Sequence, residues 1–215
     1  MERKTVARVD DYMKAVEIGK NELMGTDPEQ IAARSGAVHV QEESGNAVLS
    51  IYFLNKTIDI SWPELVFSYS VDGGEVPVQQ QVLLLHYLNL AEDVKISGEW
   101  IAYQEVPDGM FYLGAFVRRA KNPMVQGFGN NPELLVKLAS EAYGATPLNQ
   151  GDVAVAIQAL PLIPVALILW KGDDEFPPEG TILFDRTVSR VLSAEDIAWL
   201  AGMIIYPLLG MAAGK

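Results

Sequence analysis

An uncharged run of eighteen residues at positions 153–170 constrains the fold more than any other stretch of this sequence. Pro161 and Pro164 interrupt the run, and a proline inside a helix removes a hydrogen bond and clashes with the preceding turn. The run is therefore typical of two buried strands joined by a bend, rather than of one long helix. A second apolar run at positions 181–185 predicts a further strand.

A cluster of three consecutive carboxylates, Asp173, Asp174 and Glu175, lies between these apolar runs. One interpretation is a solvated loop that keeps two apolar strands from pairing with other molecules. A second is a weak site for Mg²⁺ or Ca²⁺, which prefer oxygen ligands, although adjacent side chains on an extended backbone point in opposite directions. A third is an ion network between this loop and Arg118 or Arg119. The sequence leaves all three open.

The charge balance and the lack of cysteine exclude several classes of protein. Twenty-eight acidic and sixteen basic residues give a net charge of −12, which repels phosphate backbones and anionic lipid headgroups. Nucleic acid and membranes are therefore not expected partners. Without cysteine there is no disulfide, thiolate metal site or cysteine-ligated cluster. The charged N-terminus, MERKTVARVDDYMKAV, is unlike a secretory signal, and we expect a cytoplasmic protein.

Helical and strand-like periods alternate along the chain. Residues 5–24 and 78–90 carry apolar side chains at three- and four-residue steps, as helices do, and helix caps are predicted at Asp27, Asn131 and Ser193. Strands are predicted at positions 37–42, 47–54, 57–61, 65–71 and 99–106, with turns at 43–46 and 72–74. A helix is predicted at 111–119, and Gly127-Phe128-Gly129 is interpreted as flexible. The pattern indicates an α+β fold in a single domain, residues 1–215, with two strand-rich halves of mainly antiparallel sheet and helices packed on them.

The two halves share an order of elements. Strands, an aromatic-proline turn, another strand and a leucine-rich helix occur in residues 37–95 and again in residues 151–213. In this alignment Trp62-Pro63-Glu64 corresponds to Phe176-Pro177-Pro178-Glu179. An internal duplication would explain the correspondence, and so would the alternation of elements that is common in mixed folds.

The C-terminal segment is a second uncharged stretch of eighteen residues, at positions 197–214. This is the length at which a membrane span has to be considered. The segment follows a helix-opening pattern at Ser193, is rich in small residues and contains Pro207. We therefore expect a buried helix or a contact between subunits, which would make a homo-oligomer.

Residues with recognisable chemistry are few. His86 lies in an apolar helical run, where a hydrogen-bonded core histidine is the ordinary role and a proton donor or axial ligand is the alternative. Aromatic side chains beside turns can line a pocket for a planar ligand or fill the core. Neither a nucleophile elbow nor a phosphate-binding loop occurs. The candidate ligand-binding residues are Trp170, Asp173, Asp174, Glu175, Phe176, His86 and Arg118.

Several short segments together resemble domain-of-unknown-function family 3786, over nearly the whole chain. They are Phe53-Leu54-Asn55, 83–88 (LLLHYL), Gly98-Glu99-Trp100-Ile101, Pro107-Asp108-Gly109, Gly151-Asp152, Pro161-Leu162-Ile163-Pro164 and 170–177 (WKGDDEFP). The resemblance implies a protein of anaerobic bacteria or archaea, some of whose relatives carry an added cysteine-rich iron–sulfur segment. That segment is missing here, so a cluster-linked role does not carry over. The resemblance implies no catalytic residues.

Two hypotheses about function follow from these observations. The first is a non-catalytic accessory factor of anaerobic metabolism that binds a small molecule or a protein near residues 170–177. The alternative is an enzyme with a carboxylate-based metal or acid/base site at residues 173–175. The sequence identifies no cofactor for either one.

Overall fold

The computed structural model describes residues 3–41 and 46–214. The chain forms two compact units, which are described separately below. The first unit comprises Met1–Val94 with Arg190–Leu192, and the second comprises Lys95–Ser189 with Ser193–Lys215. The predicted turn at 43–46 lies largely in residues 42–45, outside the described part.

The first unit combines an antiparallel four-stranded sheet with helices. Its elements are α1 (Arg3–Leu23), α2 (Pro28–Ser35), β1 (Val38–Gln41), β2 (Ala47–Phe53), β3 (Lys56–Trp62), β4 (Phe67–Tyr69) and α3 (Val78–Leu90), and the strands follow the order β1-β2-β3-β4. Every second residue of β2 is buried, as expected for a strand with one face on the core. Helices α1 and α3 approach closely at Gly19, where a Cβ would lie 2.9 Å from Leu85 Cβ.

The second unit contains a five-stranded antiparallel sheet in the order β5-β9-β8-β7-β6. The strands are β5 (Trp100–Ala102), β6 (Thr146–Pro147), β7 (Val153–Leu160), β8 (Ile163–Trp170) and β9 (Glu179–Asp185). The central strand β8 is buried along most of its length. The predicted bent pair is thus β7 and β8, joined at Pro161-Leu162. The α+β fold with two strand-rich, antiparallel halves is confirmed.

The helices of the second unit are α4 (Gly109–Phe116), α5 (Asn122–Phe128), α6 (Pro132–Tyr143) and α7 (Ala194–Ala212). A π-helical turn, Val117–Lys121, joins α4 to α5, so residues 109–128 form one continuous helical segment. The predicted flexibility of Gly127-Phe128-Gly129 is wrong. A Cβ at Gly127 would lie 2.1 Å from Leu209 Cδ2, and one at Gly129 would lie 2.8 Å from Pro178 Cβ, so both glycines permit close packing.

Two buried tyrosines support α7. The hydroxyl of Tyr103 donates to the carbonyl of Ala194 at 2.7 Å, in the first turn of α7, and that of Tyr143 donates to the carbonyl of Ile204 at 2.9 Å. The second bond lies just before Pro207, where the missing N–H weakens the helical ladder. In the described part of the chain α7 alone has the length and hydropathy of a membrane span, but 56% of the relevant window is buried inside the protein. A core helix passes the same test.

Some predicted strands are shorter in the structure. The strand predicted at 99–106 is three residues of β5 followed by a 3₁₀ turn, Tyr103–Glu105, and the strand predicted at 65–71 is β4. In each unit a three-stranded meander precedes a helix, β2-β3-β4 before α3 and β7-β8-β9 before α7. Both aromatic-proline turns join the second strand of the meander to the third. The duplication and the single domain stay predictions.

Candidate functional site

Residues 171–178, which we call the acidic loop, join β8 to β9. The loop lies between Trp170 and Glu179, which form the last residue pair of the two strands. The side chain of Asp173 organises this loop: its Oδ1 accepts hydrogen bonds from the backbone N–H of Glu175 at 2.8 Å and of Phe176 at 2.7 Å. The backbone N–H of Asp173 donates to the carbonyl of Phe176 at 2.9 Å. The bonds from Glu175 and Phe176 lower the pKa of Asp173. The loop therefore has a defined turn that its own carboxylate holds.

The start of the acidic loop is tied to neighbouring segments. The backbone N–H of Lys171 donates to Asp152 Oδ2 at 2.7 Å, and Lys171 Nζ lies 2.5 Å from Glu133 Oε1 on α6. This ion pair raises the pKa of Lys171 and lowers that of Glu133. Since both side chains are about half exposed, the pair contributes little stability. Its effect is to fix where the loop begins.

The end of the loop is fixed by close packing of glycine against proline. A Cβ at Gly172 would lie 2.7 Å from the backbone nitrogen of Pro178, and Pro178 in turn packs on Gly129 at the end of α5. A side chain at either glycine would push the two segments apart. The foot of the acidic loop therefore lies against the C-terminal end of the helical segment 109–128.

Two aromatic side chains are exposed at this site. Phe176, at the tip of the loop, is 66% exposed, and Trp170, at its start, is 41% exposed. The three carboxylate residues Asp173, Asp174 and Glu175 are exposed as well. One organised loop thus presents an aromatic ring together with the carboxylates of Asp174 and Glu175, for which residues 3–41 and 46–214 supply no ion-pair partner.

The metal-site hypothesis gains no additional ligand from the structure. Among residues 3–41 and 46–214, no group of three or more His, Cys, Asp or Glu side chains is placed to hold a metal ion. One oxygen of Asp173 is already engaged with the backbone. A metal at Asp173, Asp174 and Glu175 stays a prediction, for which a titration is described below.

The other two candidate residues lie in helical elements. His86 lies in α3 of the first unit, is half-buried and has an interaction partner. Arg118 lies in the π-helical turn of the second unit. In the described part of the chain neither Arg118 nor Arg119 forms an ion pair with Asp174 or Glu175. The ion network that the sequence left open is therefore not formed there.

A second exposed surface, not identified from the sequence, lies on the helical segment 109–128. We call it the basic–aromatic face; its exposed residues are Met110, Phe111, Gly114, Arg118 and Arg119, and half-buried Lys121 lies at its end. Phe111 is 86% exposed and Met110 is 66% exposed. A Cβ at Gly114 would lie 3.3 Å from Arg118 Nη1, so the guanidinium extends back along the helix. An apolar sequence such as GMFYLGAF ordinarily predicts burial, which hides this surface from sequence reasoning.

A buried carboxylate, Asp185, organises the opposite end of β9. It is 2% exposed and accepts hydrogen bonds from Ser97 N, Ser97 Oγ, Gly98 N and Thr187 N at 2.6–3.0 Å. Burial raises its pKa, but the bonds from Thr187 and Ser97 together outweigh that effect and the pKa is lowered. The arrangement places Glu99 beside Arg186, which donates to it twice, at 2.6 and 2.7 Å. Because both carboxylate oxygens of Asp185 already accept hydrogen bonds from the protein, we assign this residue a structural role.

These features define an α+β protein with two antiparallel sheets and, in its second unit, an organised acidic loop and a basic–aromatic helical face. The chain belongs to the family described as a domain of unknown function, DUF3786, whose model matches residues 27–206. The resemblance found in the sequence is thereby confirmed. No curated protein and no solved structure matches the chain.

Proposed function

We propose that this protein is a non-catalytic accessory factor that binds a protein partner through the acidic loop. The observation that carries the proposal is the combination of Asp173, which holds the loop in a defined turn, with Phe176, which is 66% exposed at its tip. An aromatic anchor on a preorganised loop loses little conformational entropy on binding, and such residues contribute most of the affinity at interfaces. Anaerobic metabolism is the setting that the family resemblance implies.

A protein suits this loop better than a small molecule does. Small-molecule sites enclose most of the ligand's surface in a cleft, whereas Phe176 and Trp170 present their rings outward. Asp174 and Glu175, exposed beside them, favour a partner surface that carries basic residues. The expected partner surface is therefore apolar at its centre and cationic at its edge.

The test compares Phe176→Ala with Tyr206→Ala, a matched change at another exposed aromatic residue, 56% exposed on α7. Tagged chains are incubated with an anoxic extract of the native host, the captured proteins are quantified, and the most abundant one is purified for calorimetry. We expect Phe176→Ala to weaken binding by about 2 kcal/mol, or about thirtyfold, and Tyr206→Ala to leave it unchanged.

Equal affinity of the Phe176→Ala chain and the wild type for the purified partner would contradict the proposal. Loss of binding with Tyr206→Ala alone would instead place the contact on α7, where the sequence left a subunit contact open. Turnover of a substrate that Asp174→Asn abolishes without unfolding the chain would favour the enzyme alternative.

A further inference from the structure

The basic–aromatic face is unusual on a chain with a net charge of −12. Three other exposed cations of the second unit have carboxylate partners: Lys137 pairs with Glu141, Lys171 with Glu133 and Arg186 with Glu99. In the described part of the chain, Arg118, Arg119 and Lys121 have no such partner. Three unpaired cations beside exposed Phe111 and Met110 make a surface that an acidic segment with an apolar residue would fit.

The acidic loop of the same chain has that chemistry. The carboxylates of Asp174 and Glu175 have no cationic partner among the residues that the structure describes, and Phe176 adds an exposed aromatic ring next to them. The two surfaces therefore carry opposite charges. Each also has an exposed aromatic residue whose apolar area would be buried on contact.

In the described part of one chain no ion pair joins the two surfaces. The foot of the acidic loop packs at Gly129, and ten residues of helix separate Gly129 from Arg119, which corresponds to about 15 Å at the ordinary rise of a helix. The hydrogen bonds to Asp173, with the ties at Lys171 and Pro178, hold the turn in place. A contact between the surfaces thus requires a second molecule.

We propose that two copies of this chain associate reciprocally, with the acidic loop of each copy on the basic–aromatic face of the other. This inference rests on the proposed function, because it names a second copy as a partner of the acidic loop. A reciprocal pair repeats the contact twice and closes on itself, as two-fold dimers do. Two small contacts rich in charge predict a weak dimer whose affinity falls as salt rises.

The test reverses the charges of each surface separately. One variant carries Arg118→Glu with Arg119→Glu, and the other carries Asp174→Arg with Glu175→Arg. By sedimentation equilibrium at low salt, we expect wild-type dimers in the micromolar range or weaker, and each variant alone to self-associate at least tenfold more weakly. Equal mixtures of the two variants should restore association, because each acquires a partner of complementary charge. Lys14→Glu with Lys137→Glu is the control for the arginine variant, because it changes the net charge in the same direction and by the same amount.

Three results would overturn the inference. One is a wild-type chain that stays monomeric at the highest concentration tested, and another is a dimer that neither charge reversal weakens. The third is failure of the mixture to restore association, which would mean that the reversals act only through net charge. If the chain is monomeric while Phe176→Ala still abolishes binding to a purified partner, the proposed function stands and self-association alone is wrong. Binding of the monomer to phosphatidylserine vesicles through Arg118 and Arg119 would identify a membrane as the occupant instead.

Discussion

At the scale of single residues, Asp173 and Asp185 show how location decides what a carboxylate does. Asp173 is exposed and bonds only to its own loop, so it organises a turn. Asp185 is buried and bonds to Ser97 and Gly98 of a distant segment as well as to Thr187 just after it, so it ties residues 97–98 to the end of β9. Sequence reasoning singled out Asp173 because acidic residues are dense there, and it missed Asp185 because a lone aspartate at a strand end has no distinguishing pattern.

We expect Asp185→Asn to lower the free energy of unfolding by about 2–3 kcal/mol, because an amide replaces a carboxylate that accepts charge-assisted bonds. Asp174→Asn, a matched change at an exposed residue, should stay within about 0.5 kcal/mol. Urea denaturation of both variants measures the difference. Equal stabilities would show that the Asp185 network is not a structural joint.

The same residue predicts a dependence on pH. The folded-state pKa of Asp185 is lowered from 3.8, so its stabilisation is present above that value and is lost as the pH falls through the folded pKa. The acid-induced loss of stability should therefore be smaller in Asp185→Asn than in the wild type. Parallel stability curves for the two chains below pH 4 would contradict this assignment.

The metal hypothesis is also decided at this scale. Because Asp173 Oδ1 is engaged and residues 3–41 and 46–214 hold no group of three or more His, Cys, Asp or Glu side chains placed for a metal ion, we expect Mg²⁺, Ca²⁺ and Mn²⁺ to change the melting temperature of the wild type and of Asp174→Asn by the same amount. Monovalent salt at equal ionic strength is the control. A stabilisation by one divalent ion that disappears in Asp174→Asn would establish the site.

At the scale of elements, local signals located most helices and tertiary contacts decided the rest. Asp27 and Ser193 cap their helices as predicted, each accepting a backbone hydrogen bond, and Val78–Leu90 is helical over the predicted range. The prediction of a flexible segment at the end of α5 was wrong because the glycines there allow close contact with Leu209 and Pro178. Both of these residues are distant in sequence, so the contact leaves no local signal.

Helix α7 gives the prediction at this scale. We expect Tyr143→Phe to destabilise the protein by about 1 kcal/mol, because the carbonyl of Ile204 loses a buried donor close to Pro207. The exposed residue Tyr206 provides the control, and Tyr206→Phe should have no measurable effect. Both variants can be compared by thermal and urea unfolding. A neutral result for Tyr143→Phe would mean that packing alone maintains the helix past its proline.

The protonation of the buried tyrosines is consistent with that role. Burial, followed by the charges of Tyr112 and Glu195, raises the pKa of Tyr103 to about 12, and burial raises the pKa of Tyr143 as well. Both hydroxyls are therefore protonated donors at neutral pH. Because the folded pKa exceeds the unfolded value of 10.0, this stabilisation is lost as the pH rises above about 10.

At the scale of the whole molecule, the sequence predicted the class of fold but not which surfaces the fold leaves unpaired. The alternation of helical and strand-like hydrophobic periods, with the interrupted apolar runs, was sufficient to predict an α+β protein with two strand-rich halves. The separation of Arg118 from the acidic loop depends on how the segment 109–128 packs at its far end, through Gly129 and Pro178. No local pattern encodes that packing, which is why the sequence left an ion network within one chain open.

The strand order of the second unit has a consequence for pairing between the sheet edges of different molecules. Its outermost strands, Trp100–Ala102 and Thr146–Pro147, have three and two residues, too few to template the growth of a fibril, and proline in the shorter one removes a donor. The three longer strands, β7, β8 and β9, lie between them in the strand order. Each outermost strand of this sheet therefore offers little free backbone to an incoming strand from another molecule.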